Sequence, residues 1–201
     1  MCGIGLPIRA AAERSLAARA TRFPPLQAAH ATFSQEREVS LVDEVLRAEG
    51  SLTLEAPDRM RLVLTDPERL TIAADGDHVT VLDAAGAPLP LPPELSGVTR
   101  FARTLTDLLL GGTGPQAFSE TWSGPDSVRL VPTDGESPFA AIALRFPSSG
   151  PLPEEVILTE RNGDRTTIHL RAVELKTRDD LGKGTASREP TARTPSRGVK
   201  P

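Results

Sequence analysis

Tyrosine is absent from the 201 residues, and aromatic residues of all kinds make up 3%. A core built from this chain must be aliphatic, drawn from Leu, Val, Ile and Ala. A single cysteine, Cys2, excludes an internal disulfide and any cysteine-cluster metal site. No apolar run approaches the roughly eighteen residues of a membrane span. A basic bias is also missing: the net charge is −4, so nothing points to nucleic acid as a partner. Histidine occurs three times, at His30, His78 and His169, each without a second ligand at metal-binding spacing. There is no Gly-x-Ser-x-Gly elbow. Gly111-Gly112-Thr113-Gly114 follows a predicted helix instead of opening one, the wrong end for a phosphate. Asp75, Asp77, Asp134 and Asp164 fall in predicted turns, where Asp is expected for local reasons. The chain therefore reads as no enzyme, with no cofactor and no metal.

What is present is alternation. From about residue 33, short segments switch polarity every residue and are separated by turn residues. In GSLTLEAP, Leu52 and Leu54 share one side. In DRMRLVLTDP, Met60, Leu62 and Leu64 alternate with Arg59 and Arg61. Asp75-Gly76 and Asn162-Gly163 are hairpin signals. A period of two with one apolar side predicts antiparallel sheet with one wet face. In PFAAIALRF the apolar residues fall on both sides, predicting a strand covered on both faces.

One helix is predicted within the strands. In PPELSGVTRFARTLTDLLLGG, Leu95, Val98, Ala102, Leu105 and Leu109 follow helical spacing, and Phe101 and Leu108 widen the stripe. Pro92-Pro93 opens it and Gly111-Gly112 closes it. AAAERSLAARATR near the start is also rich in helix formers, and LQAAHATFSQ reads as a short helical pattern running into a strand. The sum is α+β and mainly β: about ten strands in one curved antiparallel sheet with helices against it.

Three segments follow. Residues 1–25 read as a helical or poorly ordered leader, 26–175 as the folded domain, and 176–201 as a disordered basic tail. The tail holds seven Lys/Arg against three Asp/Glu and cannot bury enough to fold. The opening Met-Cys-Gly-Ile resembles the class II glutamine amidotransferases, in which an N-terminal Cys is the nucleophile. No later segment resembles that family's glutamine-holding motifs. Cys2 as catalyst is therefore the remote alternative.

The order of motifs carries a wider resemblance. Phe33-Ser34-Gln35-Glu36-Arg37, Ala48-Glu49-Gly50-Ser51-Leu52, Ala56-Pro57-Asp58-Arg59-Met60-Arg61, Asp66-Pro67 and Asp75-Gly76-Asp77 appear in turn. Leu130-Val131-Pro132 and Gly163-Asp164-Arg165-Thr166 follow. This succession resembles the outer-membrane lipoprotein carrier family, LolA-like proteins, in a divergent branch. The resemblance implies an unclosed β-barrel with helices as a lid, a periplasmic location and a monomer. The implied cargo is the acyl chains of a lipoprotein or other lipid. The implied partners are an inner-membrane release complex and an outer-membrane acceptor. Ala56 stands where the enterobacterial carrier has an Arg before the Pro. The residues expected to line a lipid-binding cavity are Leu52, Leu54, Met60, Leu62 and Leu64 from the sheet, and Phe101, Leu105 and Leu109 from the helix. Trp122 and Leu130 are expected at its rim or wall. A non-carrying docking or sensing module of the same fold is the alternative.

Overall fold

A computed structural model describes residues 15–177 apart from 42–43, 77, 91–117, 134, 136 and 138. The helix expected over 92–110, with Phe101, Leu105 and Leu109, lies outside the described residues, as do Cys2 and all of the tail beyond Thr177.

The described residues form a short helix and eleven strands. Helix α1, Leu16–Ala20, is capped by Ser15, whose Oγ accepts from the Ala18 N–H at 3.0 Å. Strands β1 (Leu26–Val39), β2 (Glu44–Glu55), β3 (Arg59–Asp66), β4 (Leu70–Asp75), β5 (His78–Leu82) and β6 (Pro88–Leu89) form a meander. A second meander contains β7 (Phe118–Trp122), β8 (Ser127–Pro132), β9 (Phe139–Arg145), β10 (Glu155–Glu160) and β11 (Arg165–Thr177). The two join where β11 pairs with β1, giving one antiparallel sheet in the order β6-β5-β4-β3-β2-β1-β11-β10-β9-β8-β7. The sheet does not close on itself: β6 and β7 are its two edges among the described residues.

The expected helical pattern in LQAAHATFSQ is replaced by strand from Leu26 onwards. Its Ala and Gln are good helix formers, but intrinsic propensity is a weak force that tertiary pairing overrides. Ala29, Ala31 and Phe33 are buried, whereas His30 and Thr32 are exposed, a period of two. Three strands are also longer than expected, at 14, 12 and 13 residues for β1, β2 and β11. They overhang their neighbours. Glu44–Ala48 of β2 extend past the end of β3, and Arg171–Thr177 of β11 extend past β10. Strands staggered in this way belong to a strongly coiled sheet. Bulges add local bend: between Glu49 and Gly50 the register with β3 skips Thr65, and a further shift lies between His30 and Thr32.

Hairpin chemistry follows the sequence. Gly76 (φ 57°) and Gly163 (φ 95°) take the left-handed backbone their turns require. Asp164 does more than fill a turn. It is 3% exposed, and its carboxylate accepts from the Ser40 N–H and Ser40 Oγ–H and from Arg37 Nη2, at 3.0, 3.1 and 3.0 Å. It thus ties the end of β1 to the β10–β11 turn. The Ser40 backbone hydrogen bond, then Arg37, holds its carboxyl below the usual carboxylate range.

In β9, Ala141, Ile142 and Leu144 are buried, Ala143 is half-buried and Ala140 is exposed. Burial thus reaches both faces of this strand, but not along its whole length.

A continuous apolar face as the candidate site

The registers place one side of all eleven strands on a single surface. Across the first meander run the rows Ala29–Leu54–Met60–Ala74–Val79 and Ala31–Leu52–Leu62–Ile72–Val81. Phe33 pairs with Leu170. Across the second run Ile168–Val156–Leu144–Val128–Trp122 and Thr166–Leu158–Ile142–Leu130–Glu120. The opposite side is mostly open and charged, although Thr71 and Ala141 on it are buried. It carries the Arg47–Glu36 pair, contacts from Arg145 to Glu154 and Glu155, and His169 Nδ1 at 3.5 Å from Glu155. A shallow depression of about 140 Å³ on that side is lined by Ser127, Arg129, Ala143, Arg145, Glu155 and Ile157 among others, and mixes charged with apolar groups.

The apolar face holds two clusters. The first contains Leu26, Ala29, Ala31, Phe33, Leu52, Leu54, Met60, Ala74, Leu152 and Leu170, with Ala56, Leu62, Leu64 and Val79 half-buried beside it. The second contains Leu16, Val128, Leu130, Ile142, Leu144, Phe146, Val156 and Leu158, flanked by Phe118, Trp122 and Phe139. Ile168, half-buried, touches both. All five sheet residues expected from β2 and β3 therefore come together: Leu52, Leu54 and Met60 are buried, and Leu62 and Leu64 are partly open. Trp122 and Leu130 lie in the other cluster, Leu130 fully buried and Trp122 half-buried.

Gly50 shapes the first cluster. It faces Phe33 across β1 and β2, and a Cβ there would lie 2.0 Å from the Val63 carbonyl oxygen and 2.9 Å from the Phe33 ring. The ring lies in the space the missing side chain leaves. Where Leu152 and Leu170 meet Leu52, Leu54, Ala29 and Ala31, the crevice leaves no room for water. This part of the face is filled. Ala56 packs beside the cluster, and its N–H donates to the Gln27 carbonyl at 2.8 Å.

Sequence reasoning passed over the second cluster except for Leu130 and Trp122. Alternation in SVRLVP and EVILTE carried the signal. Leu16 and Arg19, in the expected leader, also pack on the sheet and are each 6% exposed. Arg19 Nη2 donates to the Pro147 and Gly150 carbonyls, each at 2.8 Å, and Nη1 lies 3.4 Å from Asp126. The guanidinium carbon sits 4.3 Å from the centre of the Phe146 ring, a cation–π contact. Among the described residues no group of His, Cys, Asp and Glu could hold a metal, and no helix is long and apolar enough to cross a membrane.

Comparison with known proteins returns one family. The profile described as "Outer membrane lipoprotein carrier protein LolA" matches residues 25–181. No curated protein matches the chain. Among solved structures, a DUF1329 family protein from Desulfovibrio piger is similar at TM-score 0.46 and 11% identity, covering 85% of this chain and 93% of that one. A LolA superfamily protein from Nitrosomonas europaea is similar at TM-score 0.44 and 10% identity, covering 80% and 92%. The MucA/MucB complex of Pseudomonas aeruginosa gives TM-score 0.43 and 14% identity over 83% of this chain and 57% of that one.

Proposed function

Because the chain belongs to the LolA family of outer membrane lipoprotein carrier proteins, we propose that it is a periplasmic carrier that reversibly holds acyl chains of a lipoprotein or other lipid. It would receive them from an inner-membrane release complex and pass them to an outer-membrane acceptor. The observation that supports this is the largely apolar face of the sheet. It runs through both meanders, interrupted at Thr166 and Glu120, and Leu62, Leu64, Ile72 and Ile168 along it are only partly covered.

Energetics favour a surface of this type. Burial of an acyl chain is worth about 0.8 kcal/mol per CH₂, on the order of 12 kcal/mol for sixteen carbons. Such a lipid will not cross water free, and a carrier must also release it. Aliphatic walls of Leu, Ile and Ala offer apolar area without the specific ring geometry that would fix one pose. Leu52, Leu54, Met60, Leu62 and Leu64 would contact the chain from the first meander, and Leu130 and Trp122 from the second. The helix expected over 92–110 would bring Phe101, Leu105 and Leu109 against it. The chemistry is binding alone, and no bond is made or broken.

The test is uptake of a tripalmitoylated cysteine lipopeptide, followed by calorimetry. Leu62→Asp should weaken binding at least tenfold, because a carboxylate would be desolvated against the chain. Arg129→Asp, on the wet face, should leave it unchanged. Equal binding by both variants would count against this face. The second reading is a docking module that carries nothing. The observation favouring it is the water-tight crevice between Leu54, Leu152 and Leu170. No uptake by the folded wild-type protein would favour that reading.

A further inference from the structure

Large apolar side chains stay in water where strands outrun their neighbours. Leu41, Val45 and Leu46, at 87%, 45% and 48% exposure, gather at the far end of the β1–β2 hairpin, and Val173 and Leu175 lie on the overhang of β11. Single exposed apolar residues are ordinary, but a cluster marks a contact site.

Residues 44–48 of β2 pair with β1 in unbroken register, from Glu44 opposite Val39 to Ala48 opposite Gln35. Their other side has no strand among the described residues. Pairing with β3 stops at Glu49, whose carbonyl accepts from the Thr65 hydroxyl at 3.2 Å. A strand edge left in this state is a template for one more strand. Edges that must stay solitary carry Lys, Pro or a bulge, whereas this one reads Glu-Val-Leu-Arg-Ala. It is also held in place. Asp164 binds Arg37 and Ser40 to the β10–β11 turn, and Arg37 is the register partner of Leu46. A pre-formed edge lowers the ordering cost of binding. The β11 overhang is a poorer template, because its register with β1 shifts and Ala172 takes φ 49°.

Charge selects the occupant. Glu44, Glu49 and Asp66, which stands opposite Glu49, are exposed and form no ion pair among the described residues. The neighbouring cations are already engaged, Arg47 by Glu36 and Arg37 by Glu160 and Asp164. In the turn after β3, Glu68 and Arg69 offset each other. A second copy of this chain would set carboxylates against carboxylates, and an anionic bilayer would repel the same groups. A basic segment meets neither obstacle.

We propose that residues 44–49 of β2 bind an extended, basic segment of another protein, which adds to the sheet as a strand beside β2. Its cations stand opposite Glu44 and Glu49, and two adjacent apolar residues stand opposite Val45 and Leu46. Alternation from Leu52 and Leu54 puts Leu46 on the apolar side of the sheet and Val45 on the other, so both faces of the added strand are read. The site uses none of the residues expected to contact lipid and does not depend on the carrier reading.

The experiment titrates two end-blocked, fluorescein-labelled peptides, KVVTTK and its reverse KTTVVK, into the protein and follows anisotropy and amide hydrogen exchange. In the free protein, alternate amides of Glu44–Ala48 should exchange at least tenfold faster than those of β2 beside β3. One of the two peptides should bind and slow them. The acidic analogue EVVTTE should bind at least tenfold more weakly. Glu44→Lys should weaken binding at least threefold and the pair Val45→Lys and Leu46→Lys at least tenfold, whereas Val173→Lys on the other overhang should leave it unchanged. Should a variant fail to fold, the acidic peptide on the wild type decides. Absence of binding by both basic peptides at millimolar concentration overturns the proposal, as does equal binding by the acidic one. Amides of Glu44–Ala48 that are slow in the free protein overturn it too. Slowness lost on dilution assigns the edge to a second copy, and slowness independent of concentration assigns it to another part of the chain. Peptide binding by a protein that takes up no palmitate would overturn the carrier reading alone.

Discussion

Gly50 sits opposite Phe33, with the Val63 carbonyl 2.0 Å from where a Cβ would stand. The contact is with backbone, which cannot rotate away. Gly50→Ala should therefore cost about 1–3 kcal/mol or more, as overpacking does, read as a lower midpoint in urea denaturation. Ser51→Ala next to it, on a half-buried neighbour, is the control and should cost under about 0.5 kcal/mol. Asp164 makes a prediction about pH. Its folded pKa lies below the ordinary 3.8, so its contribution is complete above that value. It is lost as pH falls through the lower folded pKa. Asp164→Asn should be less stable than wild type at pH 7, and the gap should narrow steadily below about pH 4, measured by thermal melts across that range. A gap that widens in acid would contradict the hydrogen-bonding account. Neither role was fully legible beforehand. Gly50 stood in a recognisable motif, but its reason is the Phe33 ring, seventeen positions away and visible only once β1 and β2 are in register. Asp164 looked like any turn Asp because its partners, Arg37 and Ser40, lie more than 120 residues away in sequence.

The strands were the legible elements, because a two-residue period is written locally. Leu52, Leu54, Met60 and Leu62 shared a side in the sequence and share one in the sheet. The Asp75-Gly76 and Asn162-Gly163 hairpins formed where turn chemistry put them. Residues 26–32 read as helical because Ala and Gln favour helix locally. Only pairing to β2 and β11 on both sides decides their state. Anchoring of α1 left no local mark either, since Arg19 finds its acceptors 107–131 residues away. The long strands lead to a truncation test. The last residues of β11 pair with β1 alone. A chain ending at Leu170 should keep the fold with a lower Tm, because β2 still pairs with residues 28–32 of β1. A chain ending at Asp164 loses β11, the strand through which the two meanders pair among the described residues. It should lose cooperative unfolding in circular dichroism melts.

At the scale of the whole molecule, one sheet carries two apolar clusters joined at Ile168. The division explains why composition alone could not separate a core from a cavity. Both are aliphatic, and the same face is sealed near Leu152 and partly open near Leu62 and Leu64. Its run through both meanders is a property of register, which no single segment records. The central claim is that this face holds a lipid chain in transit. It is tested most directly by native mass spectrometry of the chain, purified without detergent. The account predicts adducts of discrete lipid mass that disappear in Leu62→Asp while that variant stays folded. A bare protein mass, unchanged after incubation with palmitate or lipopeptide, would contradict it.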